Sequence, residues 1–429
     1  MEKYPVFFDI APGVKLCATD TKRFKTGCIS FTMLLPMKGN LAANALLPYI
    51  LRRSCRKYPD FSLLNGRLAE LYGASLSSGV SKFGERQFLS VSITAIDDRF
   101  SLTGESIAAE CAALLLDLIF DPDTDNASFK TEAVELEKRL MIERIESELN
   151  NKRVYAFRRC QEHMFESEDY GKSKYGTIDE VKALSGTDVY NAWLNLLKTA
   201  VIQVDMAGSS PAEKIADELK KRFADIEREP ASLDTLFINK VDKQRHFQEE
   251  MVVEQGKLVL GFRTDMTHAR DNIHAMRVMT DIFGGGTYSK LFKNLREKMS
   301  LCYYCSARMT AEKGVIFVQS GIESDKDKEV ITQVLRQLED IKSGNIGAEE
   351  FEASKLSICD SLRSVEDSPE SIVSWYAYQI IRDEITTPAQ EEEMIKAVNI
   401  QEVIQAAKGV VLDTSYFLKG IGEGKTDED

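Results

Sequence analysis

Residues 239–429 repeat the order of elements found in residues 1–225, and that repetition constrains the fold more than any single motif. The strand patterns "GASLSSGVSK" and "RQFLSVSI" in the first half are echoed by "LCYYCSARMT" and "GVIFVQSGI" in the second. In each half, alternating apolar and polar residues give way to helical spacing. Helices are expected over 61–72, 102–119 and 129–165 in the first half, and a helix-rich stretch over 325–407 in the second. Repeated element order predicts two like units, each burying a sheet face under its own helices. The expected fold class is α+β: two homologous halves, each a mixed or antiparallel sheet flanked by helices, facing one another as a clamshell. The predicted boundaries are 1–225 and 239–429. A linker is expected over 226–238, where Pro230 sits among charged and small residues. A chain of 429 residues is in any case too long for one ordinary core.

The net charge of −13 argues against nucleic acid or an anionic membrane surface as a partner. The most apolar stretch, "CAALLLDLIF", is too short to span a bilayer and carries Asp117. No basic region followed by an apolar core opens the chain. Eight cysteines without a disulfide framework fit a reducing compartment. These features together predict a cytoplasmic protein.

Metal and nucleotide motifs fail on inspection. Only His163, His246, His268 and His274 are present, with no pair at helical ligand spacing, and residues 1–162 contain no histidine. "CYYC", Cys302 to Cys305, is a lone C-x-x-C in a predicted strand, best read as core. "DPDTDNASFKTE", 121–132, places Asp121, Asp123, Asp125 and Glu132 like a calcium loop. Asn126 stands where that loop requires glycine, so the stretch reads as an acidic connection between helices, with Asp125 or Asn126 available as an N-cap. "GGGTYSK", 284–290, lacks the second glycine of a phosphate loop and reads as a flexible turn before a helix.

The segment "FGGGTYSKLFKNLREKMSLCYY", 283–304, together with "YGKSKYGTIDEV", 170–181, resembles the pitrilysin/insulinase-type (inverzincin) metallopeptidases, in particular their two-domain, processing-peptidase-like branch. The resemblance covers nearly the whole chain. Active members carry H-x-x-E-H on the first helix, where two histidines one turn apart bind zinc and the glutamate activates water. Laid on "LAANALLPYILRRSCR", the two histidine positions fall at Ala45 and Tyr49 and the glutamate position at Pro48. None of these side chains suits its role, and Pro48 suggests a late helix start. The third zinc ligand of the family would be Glu135, Glu137, Glu143 or Glu146. Ser77 replaces a family asparagine that holds substrate backbone.

The second-half signature is intact. The resemblance assigns Arg296 and Tyr303 to substrate and oxyanion contact, and Gly284, Gly285 and Gly286 to a possible substrate loop. It implies a chain without catalytic residues, metal or cofactor of its own. Such a chain would bind an extended peptide or precursor protein and complete the site of a homologous zinc-bearing subunit. The alternative is a stand-alone, non-catalytic peptide-binding or scaffolding protein.

Overall fold

A computed structural model describes residues 5–209, 211–382 and 384–421. Its strands are β1 (Val6–Ala11), β2 (Val14–Thr19), β3 (Thr26–Pro36), β4 (Ser75–Phe83), β5 (Arg86–Ile96), β6 (Thr124–Asp125), β7 (Ser128–Phe129), β8 (Val201–Ala207), β9 (Arg245–Val252), β10 (Gly256–Arg263), β11 (Cys302–Thr310), β12 (Val315–Ile322) and β13 (Val411–Ile421). One sheet has the order β1-β2-β8-β3-β5-β4 and the other β11-β12-β10-β13-β9. In the first, β2 and β8 run parallel; in the second, β13 and β9 do so, and every other neighbouring pair in either sheet is antiparallel. The series β2-β8-β3-β5-β4 therefore corresponds strand for strand with β9-β13-β10-β12-β11. The echoed segments of the sequence occupy equivalent places: β4 with β11, and β5 with β12. Strand β1 is the first sheet's addition.

The chain forms two compact units that are not simply its two halves. Unit 1 comprises 1–146, 172–234 and 365–387; unit 2 comprises 147–171, 235–364 and 388–429. The crossing between residues 234 and 235 falls within the span read as a linker. That span is anchored to unit 1 by the Arg228 guanidinium, which donates to the carbonyls of Pro12, Leu197 and Ala200. Pro230 lies where a Cβ on Gly13 would stand, so that position, at φ +68°, accepts only glycine.

Each half lends a helix to the other unit. The helix Lys152–Met164 packs Ala156, Cys160 and Met164 on Val259, Phe317 and Tyr416 of the second sheet. The helix Pro369–Ala377 packs Ile372, Val373 and Tyr376 against Cys17, Cys28 and Ala207 of the first, with Ala377 beside Leu34, Phe83 and Phe88. The helix expected over 129–165 is consequently two helices, Thr131–Asn150 and Lys152–Met164. The break falls at Asn151, whose side chain accepts from the backbone N–H groups of Arg153 and Val154 and caps a new helix.

The acidic connection 121–132 also differs from its expectation. It folds as the hairpin β6–β7, with Asn126 and Ala127 both in the left-handed region (φ 49° and 57°). Asp121 pairs with Arg222, and Asp123 with Lys130. The carboxylates are thus spent on separate cations rather than gathered as a calcium cage, and neither Asp125 nor Asn126 caps the helix that begins at Thr131.

Candidate functional site

In unit 1 the residues aligned with H-x-x-E-H lie on helix α1 (Leu41–Leu51), capped by Asn40, whose side chain accepts from Ala43 N–H at 3.0 Å. The late start suggested by Pro48 is not found: the helix begins at Leu41 and carries Pro48 in its interior. The cap and complete burial of the helix outweigh the one backbone donor that proline removes. Ala45, Pro48 and Tyr49 are all buried.

What stands against Tyr49 is a cation. The Arg144 guanidinium, from the helix Thr131–Asn150, lies 4.0 Å from the centre of the Tyr49 ring. Burial raises the Tyr49 pKa, so its hydroxyl stays protonated and is no metal ligand. Of the four candidate glutamates, Glu137 is buried and pairs with Arg53 at 2.9 Å, Glu135 pairs with Lys138 at 2.7 Å, and Glu143 lies 3.9 Å from Arg139. Among the described residues, no group of three or more His, Cys, Asp or Glu side chains is placed to hold a metal ion. These residues do not fit zinc. Ser77, on the edge strand β4, shares its hydroxyl with Ser92 at 2.7 Å.

Unit 2 presents the other motif. Arg296 sits on a π-helical segment, Phe292–Lys298, and the amide of Met299 extends the i→i+5 pattern by donating to the Asn294 carbonyl at 3.0 Å. Such segments are rare and concentrate at functional sites. Ser300 then takes a left-handed turn at φ 52° into β11. There the register with β12 slips between Cys302 and Tyr304, a β-bulge whose extra residue is Tyr303.

These two irregularities bring the two side chains together at the surface. Arg296 lies 6.0 Å from the centre of the Tyr303 ring and 4.6 Å from that of Phe292. Tyr303 is 74% exposed, and the Arg296 side chain 41%. The acid paired with Arg296 is its sequence neighbour Glu297, at 3.8 Å and largely in water, where such a pair holds little energy. Guanidinium and phenol thus offer donors to one acceptor-rich ligand.

The triglycine is more constrained than a flexible turn. Gly284 is buried at the end of the helix Ile273–Gly284, and a Cβ there would lie 2.5 Å from the Ala307 amide nitrogen. Gly285 packs its Cα side against Asp281, which accepts from Tyr288 Oη at 2.6 Å. Lys290 is buried and pairs with Glu350 at 2.9 Å. Its ammonium is therefore committed to the protein rather than to a phosphate.

The description "Peptidase M16 inactive domain" matches residues 184–358. The probable inactive metalloprotease YmfF of Bacillus subtilis (strain 168) is 28% identical over 402 residues, covering 93% of this chain and 94% of that one. Over residues 184–358 the chain is similar to the M16 peptidase family, and over most of its length to an inactive member of it. The antilisterial bacteriocin subtilosin biosynthesis protein AlbE of the same organism is 23% identical over 298 residues, covering 68% of this chain and 73% of that one. A conserved protein of Enterococcus faecalis V583 superposes with a TM-score of 0.89 at 26% identity, covering 99% of this chain and all of that one. An M16 inactive domain from Pseudomonas fluorescens gives a TM-score of 0.79 at 13% identity and supports the M16 fold alone. Two features of this chain are not marked in its sequence. Arg144 lies 95 residues from Tyr49 in sequence, and nothing local marks it. The bulge at Tyr303 leaves no sign in composition either, although Ser300 and the C-x-x-C flank it.

Proposed function

We propose that this chain is the zinc-less half of a two-subunit M16 peptidase. Arg296 and Tyr303 hold an extended peptide, while a homologous subunit supplies zinc and the general base. The observation that carries this reading is the meeting of Arg296 and Tyr303 at an exposed surface, produced by a π-helix and a β-bulge. Irregular backbone costs stability and persists where a particular side-chain placement is needed. The Arg296 guanidinium would bind a substrate carbonyl, and the Tyr303 hydroxyl would donate to the oxyanion formed when that peptide bond is attacked. Strands β4 and β11 end their sheets, and a peptide in extended form pairs naturally along such an edge. YmfF, described as a probable inactive metalloprotease, supports a non-catalytic role. AlbE, a bacteriocin biosynthesis protein, supports a precursor as the substrate class.

The test is affinity purification of the chain from its native cells, followed by reconstitution with the co-purifying homologue. The expected result is a stoichiometric partner bearing H-x-x-E-H, with R296A and Y303F each lowering the kcat/KM of the complex by about 10²–10³ at unchanged subunit affinity. Undiminished activity in both variants overturns the assignment of these residues. Peptide capture by the chain alone, with no homologue recovered, replaces the paired peptidase with a stand-alone peptide-binding protein.

A further inference from the structure

On a regular strand, side chains three residues apart point to opposite faces, so a C-x-x-C there keeps its thiols apart. Strand β11 breaks that rule. Cys302 stands opposite Ile322, Tyr304 opposite Gly321 and Cys305 opposite Ser320. With Tyr303 as the extra residue, the two cysteines face positions only two apart on the straight partner strand. They share a face, and their Cα atoms are separated by roughly two strand rises, about 6.6 Å. A disulfide spans Cα distances of up to about 6.8 Å.

Both thiols are free and buried, Cys302 at 8% exposure and Cys305 at 6%. They hydrogen-bond to each other. We propose that Cys302 and Cys305 are a peroxide-sensitive dithiol that closes to a disulfide across the bulge.

The two sulfurs are unequal, which gives the reaction a direction. The hydrogen bond from Cys305, aided by Ser320 and the Arg296 guanidinium and opposed by burial, holds the Cys302 thiol below its ordinary pKa, while the same hydrogen bond and burial push Cys305 up. Burial raises each of the other six cysteines (Cys17, Cys28, Cys55, Cys111, Cys160 and Cys359). Cys302 is therefore the cysteine that most readily gives a thiolate. It attacks one peroxide oxygen and becomes a sulfenic acid, and the second oxygen leaves as hydroxide, which becomes water on protonation. The Cys305 sulfur then attacks the Cys302 sulfur, forming the S–S bond and expelling a second water. Two thiols and one hydrogen peroxide give one disulfide and two waters, with the sulfurs oxidised and the peroxide reduced. The product fixes the bulge that displays Tyr303. This chemistry stands whether or not Tyr303 contacts a peptide.

Trypsin releases both cysteines, and no others, in the peptide Met299–Arg308. The full-length chain is exposed to hydrogen peroxide, alkylated without reduction and digested. The expected product is an unalkylated peptide about 2 Da lighter than the dithiol form, appearing before any other cysteine changes and reverting with dithiothreitol. In C305S, dimedone should trap a Cys302 sulfenic acid. Two alkyl groups on the wild-type peptide at a peroxide dose that oxidises another cysteine would overturn the proposal. So would conversion of wild-type Cys302 to sulfinic acid without a disulfide.

Discussion

At the scale of single residues, Ala45 and Pro48 offer no metal donor at the positions that the resemblance assigns to H-x-x-E-H, and Arg144 sets a positive charge against Tyr49. The missing donors are legible in sequence, because a histidine-free first 162 residues cannot supply the motif. Arg144 is not legible, because only the packing of the helix Thr131–Asn150 on α1 brings it to Tyr49. A consequence follows for attempts to rebuild the centre. The combined substitutions A45H, P48E and Y49H restore the ligand types but leave Arg144 repelling the ion. Zinc affinity measured by calorimetry should be at least about tenfold weaker in that variant than in one also carrying R144E. Equal affinities would mean that Arg144 does not stand near the metal's place.

At the scale of elements, strand β8 shows how the borrowed helix is held. Gln203 Nε2 donates to the Tyr376 carbonyl of the helix Pro369–Ala377 at 3.0 Å and to Asp205 Oδ1 at 2.6 Å. Asp205 is fully enclosed, and burial raises its pKa from 3.8 to about 8, opposed by hydrogen bonds from Gln203 and Cys17. The folded protein therefore keeps a proton that the unfolded chain releases above pH 3.8. Stability contributed by this group is complete below about pH 4 and falls as pH rises towards 8, by about 1.4 kcal/mol per pH unit at most. Denaturant midpoints measured between pH 5 and 8 should decline in the wild type and decline less in D205N. Parallel declines would remove Asp205 as the cause. The sequence of β8 gives no hint of this proton, since a buried aspartate and a solvated one look alike in sequence. The break at Asn151 was equally hidden, because charge-laced helical spacing continues on both sides of it.

At the scale of the whole molecule, the internal repeat was legible because echoed strands fall at equivalent sheet positions. The exchange of helices was not, because an apolar stripe states that a helix will be covered without naming the sheet that covers it. The exchange makes each unit dependent on both halves. In unit 2 the lent segment is further held by Glu168, which pairs at 2.6 Å with Arg263 and with the fully buried Lys313. Fragments 1–234 and 235–429 expressed separately should each lack protected amides in hydrogen exchange, and mixing them should restore protection. A fragment that folds alone would show that its lent helix is dispensable. The same feature sets a schedule during synthesis. The first sheet is complete in sequence at Ala207, yet its cover, ending at Ala377, leaves the ribosome roughly 10–30 s later at ordinary elongation rates. Through that interval Cys17, Cys28, Leu34, Phe83 and Phe88 form an uncovered apolar surface on the nascent chain, a natural landing place for a chaperone.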